Sequence, residues 1–256
     1  MLELRTVNVD RYITPLREGG SLPGIIEADD GFMYVLKFRG AGQGTKALIA
    51  DLIGAELARK VGFKVPELVF ANLAEGFGRT EPDEEIQDLL KFSTGLNLGV
   101  SYLSGSITFD AVVNRIDPET AAKIVWLDAF LMNIDRTARN TNMLFWNKEL
   151  WLIDHGASLY FHHNPENWQS QAEKPFVQIK DHVLLNQASS ITAVHDFMLE
   201  KIQPNFINEL VDNIPEDWLS TDDEISKPLY LGFLTKRLAN ADTFLNEAEN
   251  ARKALI

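Results

Sequence analysis

Residues 133–156 constrain the fold of this chain more than any other stretch. A polar loop, Asn133-Ile134-Asp135-Arg136-Thr137-Ala138-Arg139-Asn140-Thr141-Asn142, follows an apolar segment and leads into Met143-Leu144-Phe145-Trp146. Asn147-Lys148-Glu149 separates that run from Leu150-Trp151-Leu152-Ile153, which delivers Asp154-His155-Gly156. The pattern predicts the end of a helix, a loop that exposes its Asp and two of its three Asn, and a β-hairpin. The hairpin brings a second Asp and a Gly back beside the loop.

Phosphoryl transfer needs such a set. One carboxylate receives or orients the proton of the acceptor hydroxyl, while an amide and a second carboxylate hold Mg2+ on the phosphates. Asp135 and Asn140 have the separation found in the protein-kinase catalytic loop, and Asp154-His155-Gly156 stands where Asp-Phe-Gly would. Singly, each residue reads as a turn former, because Asp and Asn favour loops for backbone reasons. Their order, with a hydrophobic hairpin between them, points instead to a site. Asp135 is expected as the base, with Asn140 and Asp154 as the metal ligands.

The preceding third of the chain fits that expectation. Arg11–Leu16 and Ser21–Ala28 read as extended segments around a Gly19-Gly20 turn, and Phe32–Phe38 is a β run rich in aromatic and branched residues. After the glycine-rich stretch 40–44, residues 46–61 carry a helical period, Gly62 suits the C-cap and Pro66 blocks continuation. Glu67–Leu73 returns as a strand. Strand, strand, strand, helix, strand is the layout of a kinase N-lobe. The acidic segment 80–88 changes the texture, so the division is expected at residues 73–80, giving an N-lobe of 1–75 and a C-lobe of 76–256. Helices are expected at 118–132, with Pro118 in its first turn, at 196–210 and at 227–253. The fold class expected is α+β: a two-lobed protein-kinase-like fold with a small β-rich N-lobe containing one helix and a larger, mainly helical C-lobe.

Asp135-Arg136-Thr137-Ala138-Arg139-Asn140 resembles the catalytic loop of HipA-like kinases, in which an Asp, often followed by Gly-His or Arg-His, precedes Ala-Lys-Asn. The 133–142 loop with Ile153-Asp154 is also similar to type II phosphatidylinositol 4-kinases, and Phe63-Lys64-Val65-Pro66-Glu67 resembles the passage after the HipA regulatory helix. The likeness covers roughly residues 15–160 and is to the compact HipA-like kinase domain. It implies ATP and Mg2+ as cofactors and a serine or threonine of a protein as acceptor. It also implies that Lys37 contacts the α- and β-phosphates and that Asp51 is its acidic partner, with Glu56 as the fallback. Gly19, Gly20 and Ser21 would offer backbone N–H groups to the phosphates. Adenine would sit at the lobe connection, around Val69 to Asn72. A pseudokinase that binds nucleotide or a partner is the alternative, although such a scaffold needs none of Asp135, Asn140 and Asp154.

Composition narrows the rest. The chain has no Cys, which excludes disulfides and thiolate metal sites. Its 24 Lys plus Arg against 37 Asp plus Glu give a net charge of −13, which works against nucleic-acid binding and against anionic membranes. The N-terminus lacks a basic stretch followed by an apolar run, and no apolar run approaches a membrane span of roughly 20 residues, so a cytoplasmic location is expected. No Walker A motif, Gly-x-Ser-x-Gly elbow or zinc-spaced His pair is present. Trp126, Trp146 and Trp151 read as core or hairpin packing, and His155 as a residue that packs the turn beside Asp154.

Overall fold

The computed structural model describes residues 4–16, 22–79, 81–220 and 225–255. Three strands open the chain, β1 (Thr6–Pro15), β2 (Gly24–Ala28) and β3 (Met33–Lys37). They are followed by helix α1 (Thr45–Lys60), strand β4 (Leu68–Leu73), helix α2 (Glu84–Phe92) and strand β5 (Gly95–Ser101). These strands form a closed barrel in the order β1-β2-β3-β5-β4. Only the β1/β4 pair, Thr6 with Phe70 to Asn8 with Asn72, is parallel. Alternating inward residues fill it: Val7, Ile26, Tyr34, Leu36, Val69, Ala71 and Leu73, capped by Ile86 and Leu90 of α2.

Two features of the barrel differ from the sequence-based reading. Residues 84–92 form a helix, capped by the Asp83 side chain on the N–H groups of Glu85 and Ile86. Residues 95–101 form the strand that joins β3 to β4, so a division at 75/76 would cut the barrel. Three glycines between residues 95 and 105 disguise that strand. At Gly99 the absence of a side chain is required, since a Cβ there would lie 2.7 Å from Val69 Cγ2.

A short sheet then pairs β6 (Ile107–Thr108) with β7 (Met143–Trp146), and β7 with β8 (Glu149–Leu152) as the expected hairpin. Trp146 and Trp151 pack edge to face across it at 5.2 Å. Between β6 and β7 runs α3 (Pro118–Leu131), started by the Asp117 side chain on Thr120 N–H and ended by Met132 in the left-handed region. Ten of its residues are buried, which makes it the axis of the larger core. Trp126 stacks on Phe130 there. The chain ends in α4 (Trp168–Glu173), α5 (His195–Lys201), α6 (Pro204–Asp212), α7 (Lys227–Ala239) and α8 (Ala241–Lys253). The helix expected over 196–210 is therefore two helices broken before Pro204, and that over 227–253 is two helices broken at Asn240. Helix α1 joins this larger core, with residues 48–58 all buried. Among the described residues no helix is long and apolar enough to cross a membrane.

Candidate active site

Lys37 ends β3 and ties three segments together. Its Nζ donates to Asp51 Oδ2 on α1 at 2.5 Å and to Asp154 Oδ1 beyond β8 at 2.7 Å. The other oxygen of Asp51 accepts the His155 N–H at 2.6 Å. The Asp-His-Gly turn is thus fastened to α1, and close approach is what permits it. A Cβ on Gly54 would sit 2.4 Å from His155 Cβ, and one on Gly156 would sit 2.9 Å from Asp51 Oδ2. Asp154 itself has φ 52°, a conformation uncommon for a residue with a side chain. The His155 ring is fully buried beneath the turn.

One ammonium between two carboxylates sets the electrostatics. Burial pushes the Asp51 carboxyl up to about 6 against the pull of Lys37, and the negative charge of Asp154 adds to the rise. Lys37 holds Asp154 below the usual carboxylate range. Burial works against the Lys37 ammonium, but Asp154 and Asp51 outweigh it and raise its pKa. The cluster opens to solvent on one side: the Asp51 side chain is 6% exposed, Lys37 16% and Asp154 45%. An ammonium has three N–H donors and the carboxylates take two, leaving one for a ligand.

Asp135 lies in the loop after α3. Its Oδ2 accepts from Asn140 Nδ2 at 2.7 Å and from Asn142 Nδ2 at 3.1 Å. Among the described residues no hydrogen bond is made to its Oδ1. Burial pushes its carboxyl up, the bond from Asn142 opposes the rise, and the charge of Asp154 adds to it. The two carboxylates are therefore close enough to sense one another.

Behind the loop lies a buried group that sequence reasoning passed over. Asp128 of α3 accepts from Arg136 Nε at 2.6 Å, His182 Nε2 at 2.9 Å and Asn133 Nδ2 at 2.9 Å. Burial disfavours its charge, but Arg136 and His182 prevail and hold its carboxyl well below the usual range. An acid inside the apolar run 124–132 was the available signal, since buried charges are paired. Nothing local marks His182.

The remaining expected residues fall elsewhere. Glu56 turns to Arg59 at 3.3 Å rather than to Lys37. Val69 is buried in the barrel, and Asn72 faces β1, where its amide donates to Asn8 Oδ1 at 3.2 Å. Neither lies where the chain leaves the barrel, because that exit follows β5. Gly19, Gly20 and Ser21 fall outside the described residues.

Asp154 and Asn140 suit Mg2+, which takes hard oxygen donors, keeps several waters and needs only one or two carboxylates beside substrate phosphates. Among the described residues no cluster of three or more His, Asp or Glu is placed to hold a metal ion.

In fold, the chain is similar to the crystal structure of a Helicobacter pylori proinflammatory kinase, CtkA, at TM-score 0.56 and 13% identity, covering 98% of this chain and 99% of that one. No curated protein matches significantly. The family model described as HipA-like kinase matches residues 9–247, nearly the whole length. The chain belongs to the HipA-like kinase family.

Proposed function

We propose that this chain is an ATP- and Mg2+-dependent phosphotransferase that moves the γ-phosphoryl group to a serine or threonine hydroxyl of a protein. Family membership supports a kinase-type phosphotransferase. The observation that carries the finer reading is Lys37, held at 2.5 and 2.7 Å between Asp51 and Asp154. An ion pair between a strand lysine and a helix acid, next to a metal-binding acid, is the arrangement kinases need. The two lobes would be the barrel, through β5, and the helical remainder.

In this reading the free Oδ1 of Asp135 orients the acceptor hydroxyl and takes its proton as the new O–P bond forms and the bond from the γ-phosphorus to the β,γ-bridging oxygen breaks, releasing ADP. Such a base contributes about 10²- to 10⁴-fold. Asn140 and Asn142 fix the carboxylate plane, and Lys37 uses its remaining N–H on the phosphates while Asp51 keeps it aimed. Mg2+ on Asn140 and Asp154 would neutralise charge on the phosphate oxygens. Gly19, Gly20 and Ser21 remain the proposed backbone donors. Adenine we assign to the exit from the barrel, residues 102–106, in place of Val69 and Asn72, because ligands favour the junction between bodies. The inositol headgroup used by type II phosphatidylinositol 4-kinases is the other hydroxyl to test, and the net charge of −13 works against it at an anionic membrane.

The competing reading is a nucleotide- or partner-binding pseudokinase. One observation favours it, the direct Lys37–Asp154 pair that engages a metal-binding oxygen. Calorimetric titration with ATP, with and without Mg2+, tests the metal site. Binding should need Mg2+ and fail in Asp154→Ala. Equal binding without metal and in the variant would remove Asp154 from the metal site.

A further inference from the structure

Asp128 spends both carboxylate oxygens on the loop that carries Asp135. Its Oδ1 accepts from Asn133 Nδ2, and Asn133 Oδ1 in turn accepts the backbone N–H of Asp135 at 3.1 Å. Its Oδ2 accepts from Arg136 Nε, while Arg136 Nη1 donates to the carbonyls of Asn142 at 2.5 Å and Thr141 at 3.4 Å. The two branches therefore reach both ends of the loop: the backbone of Asp135 and the residue whose amide holds its carboxylate.

The third partner comes from a distant stretch of chain. His182 Nδ1 accepts the Leu184 N–H at 3.1 Å, which leaves the ring proton on Nε2 to be donated to Asp128. Val183 N–H donates to the Arg136 carbonyl at 3.1 Å, and Thr137 forms an antiparallel bridge with His182. Residues 182–184 thus lie along the loop as a short strap. A buried ion pair is often no more stabilising than well-packed apolar residues, so the loop atoms that this one orients are the place to look for its effect.

We infer that Asp128 is a positioning residue for Asp135, acting through Asn133, Arg136 and the strap residue His182. The inference rests on the reading of Asp135 as the base. Asp128 is fully buried, with both oxygens taken by protein donors, so it acts through its neighbours and is not a catalytic residue. Its effect is on placement, where a misplacement of about 1 Å costs on the order of 100-fold in rate.

The test compares His182→Leu with His182→Gln, whose amide can still donate to Asp128, beside Asp128→Asn. Phosphoryl transfer from ATP and amide hydrogen exchange over residues 133–142 are measured on each. In His182→Leu, kcat should fall by about 100-fold with KM for ATP changed less than about 2-fold, and exchange in the loop should quicken. His182→Gln should recover most of both. If His182→Leu keeps kcat and loop protection and loses only thermal stability, the group is packing and the inference falls. The His182 pair decides the matter even where Asp128→Asn does not fold. If the wild-type chain transfers no phosphoryl group, the reading of Asp135 fails, while the exchange comparison still judges whether Asp128 orders the loop.

Discussion

Asp128 and Lys37 each centre a charge cluster, and the clusters differ in how far water is excluded. The Arg136 and Asp128 side chains are 0% and 1% exposed, whereas Lys37 keeps 16% and Asp154 45%. Both Asp128 oxygens are consumed by protein donors. At Lys37 one donor is left over, and two carboxylates compete for a single ammonium. The first arrangement holds a loop in one place, and the second leaves charge for something not yet bound. A phosphotransferase needs both, a fixed base and an adaptable phosphate end.

Substitution of Arg136 breaks the comparison most severely. Arg136→Met leaves Asp128 buried without its cation, and about 3–5 kcal/mol of stability should be lost in denaturant unfolding. A loss below about 1 kcal/mol would show that the buried cluster is not the anchor described. Gly54→Ala acts at the other cluster. Its new methyl would meet His155, so about 1–3 kcal/mol should be lost. The turn should shift as well, weakening nucleotide binding.

Acidity separates the two clusters by sign. Asp128 lies below its usual pKa when folded, so its contribution is present above about 3.9 and is lost as pH falls through the folded value. Asp51 is raised to about 6, so its contribution is present below about 3.9 and is lost as pH rises through about 6. Relative to Asp51→Asn, wild type should lose stability between pH 4 and 7, whereas relative to Asp128→Asn it should lose stability only on acidification. Parallel pH profiles for the two comparisons would erase the distinction.

The loop and hairpin at 133–156 were legible because their chemistry is local: a fixed spacing of Asp and Asn, then two apolar runs around a turn. Lys37 and Asp51 came from resemblance to a family, and their ion pair is a tertiary contact that periodicity does not reveal. Strand β5 stayed hidden because its glycines dilute the β pattern, and α2 was not singled out because its run of acidic residues reads first as a change of texture. His182 lies 54 residues from Asp128, and only the fold brings them together. The lobe connection was expected at β4, around Val69 to Asn72, whereas the chain leaves the barrel only after β5.

The most direct test of the account is Mg2+-dependent phosphoryl transfer from ATP by wild type and Asp135→Ala, with nucleotide affinity measured on both. Turnover should fall by about 10²- to 10⁴-fold in the variant while affinity holds, as expected for a base that does not bind ATP. Equal turnover in Asp135→Ala and wild type would contradict it.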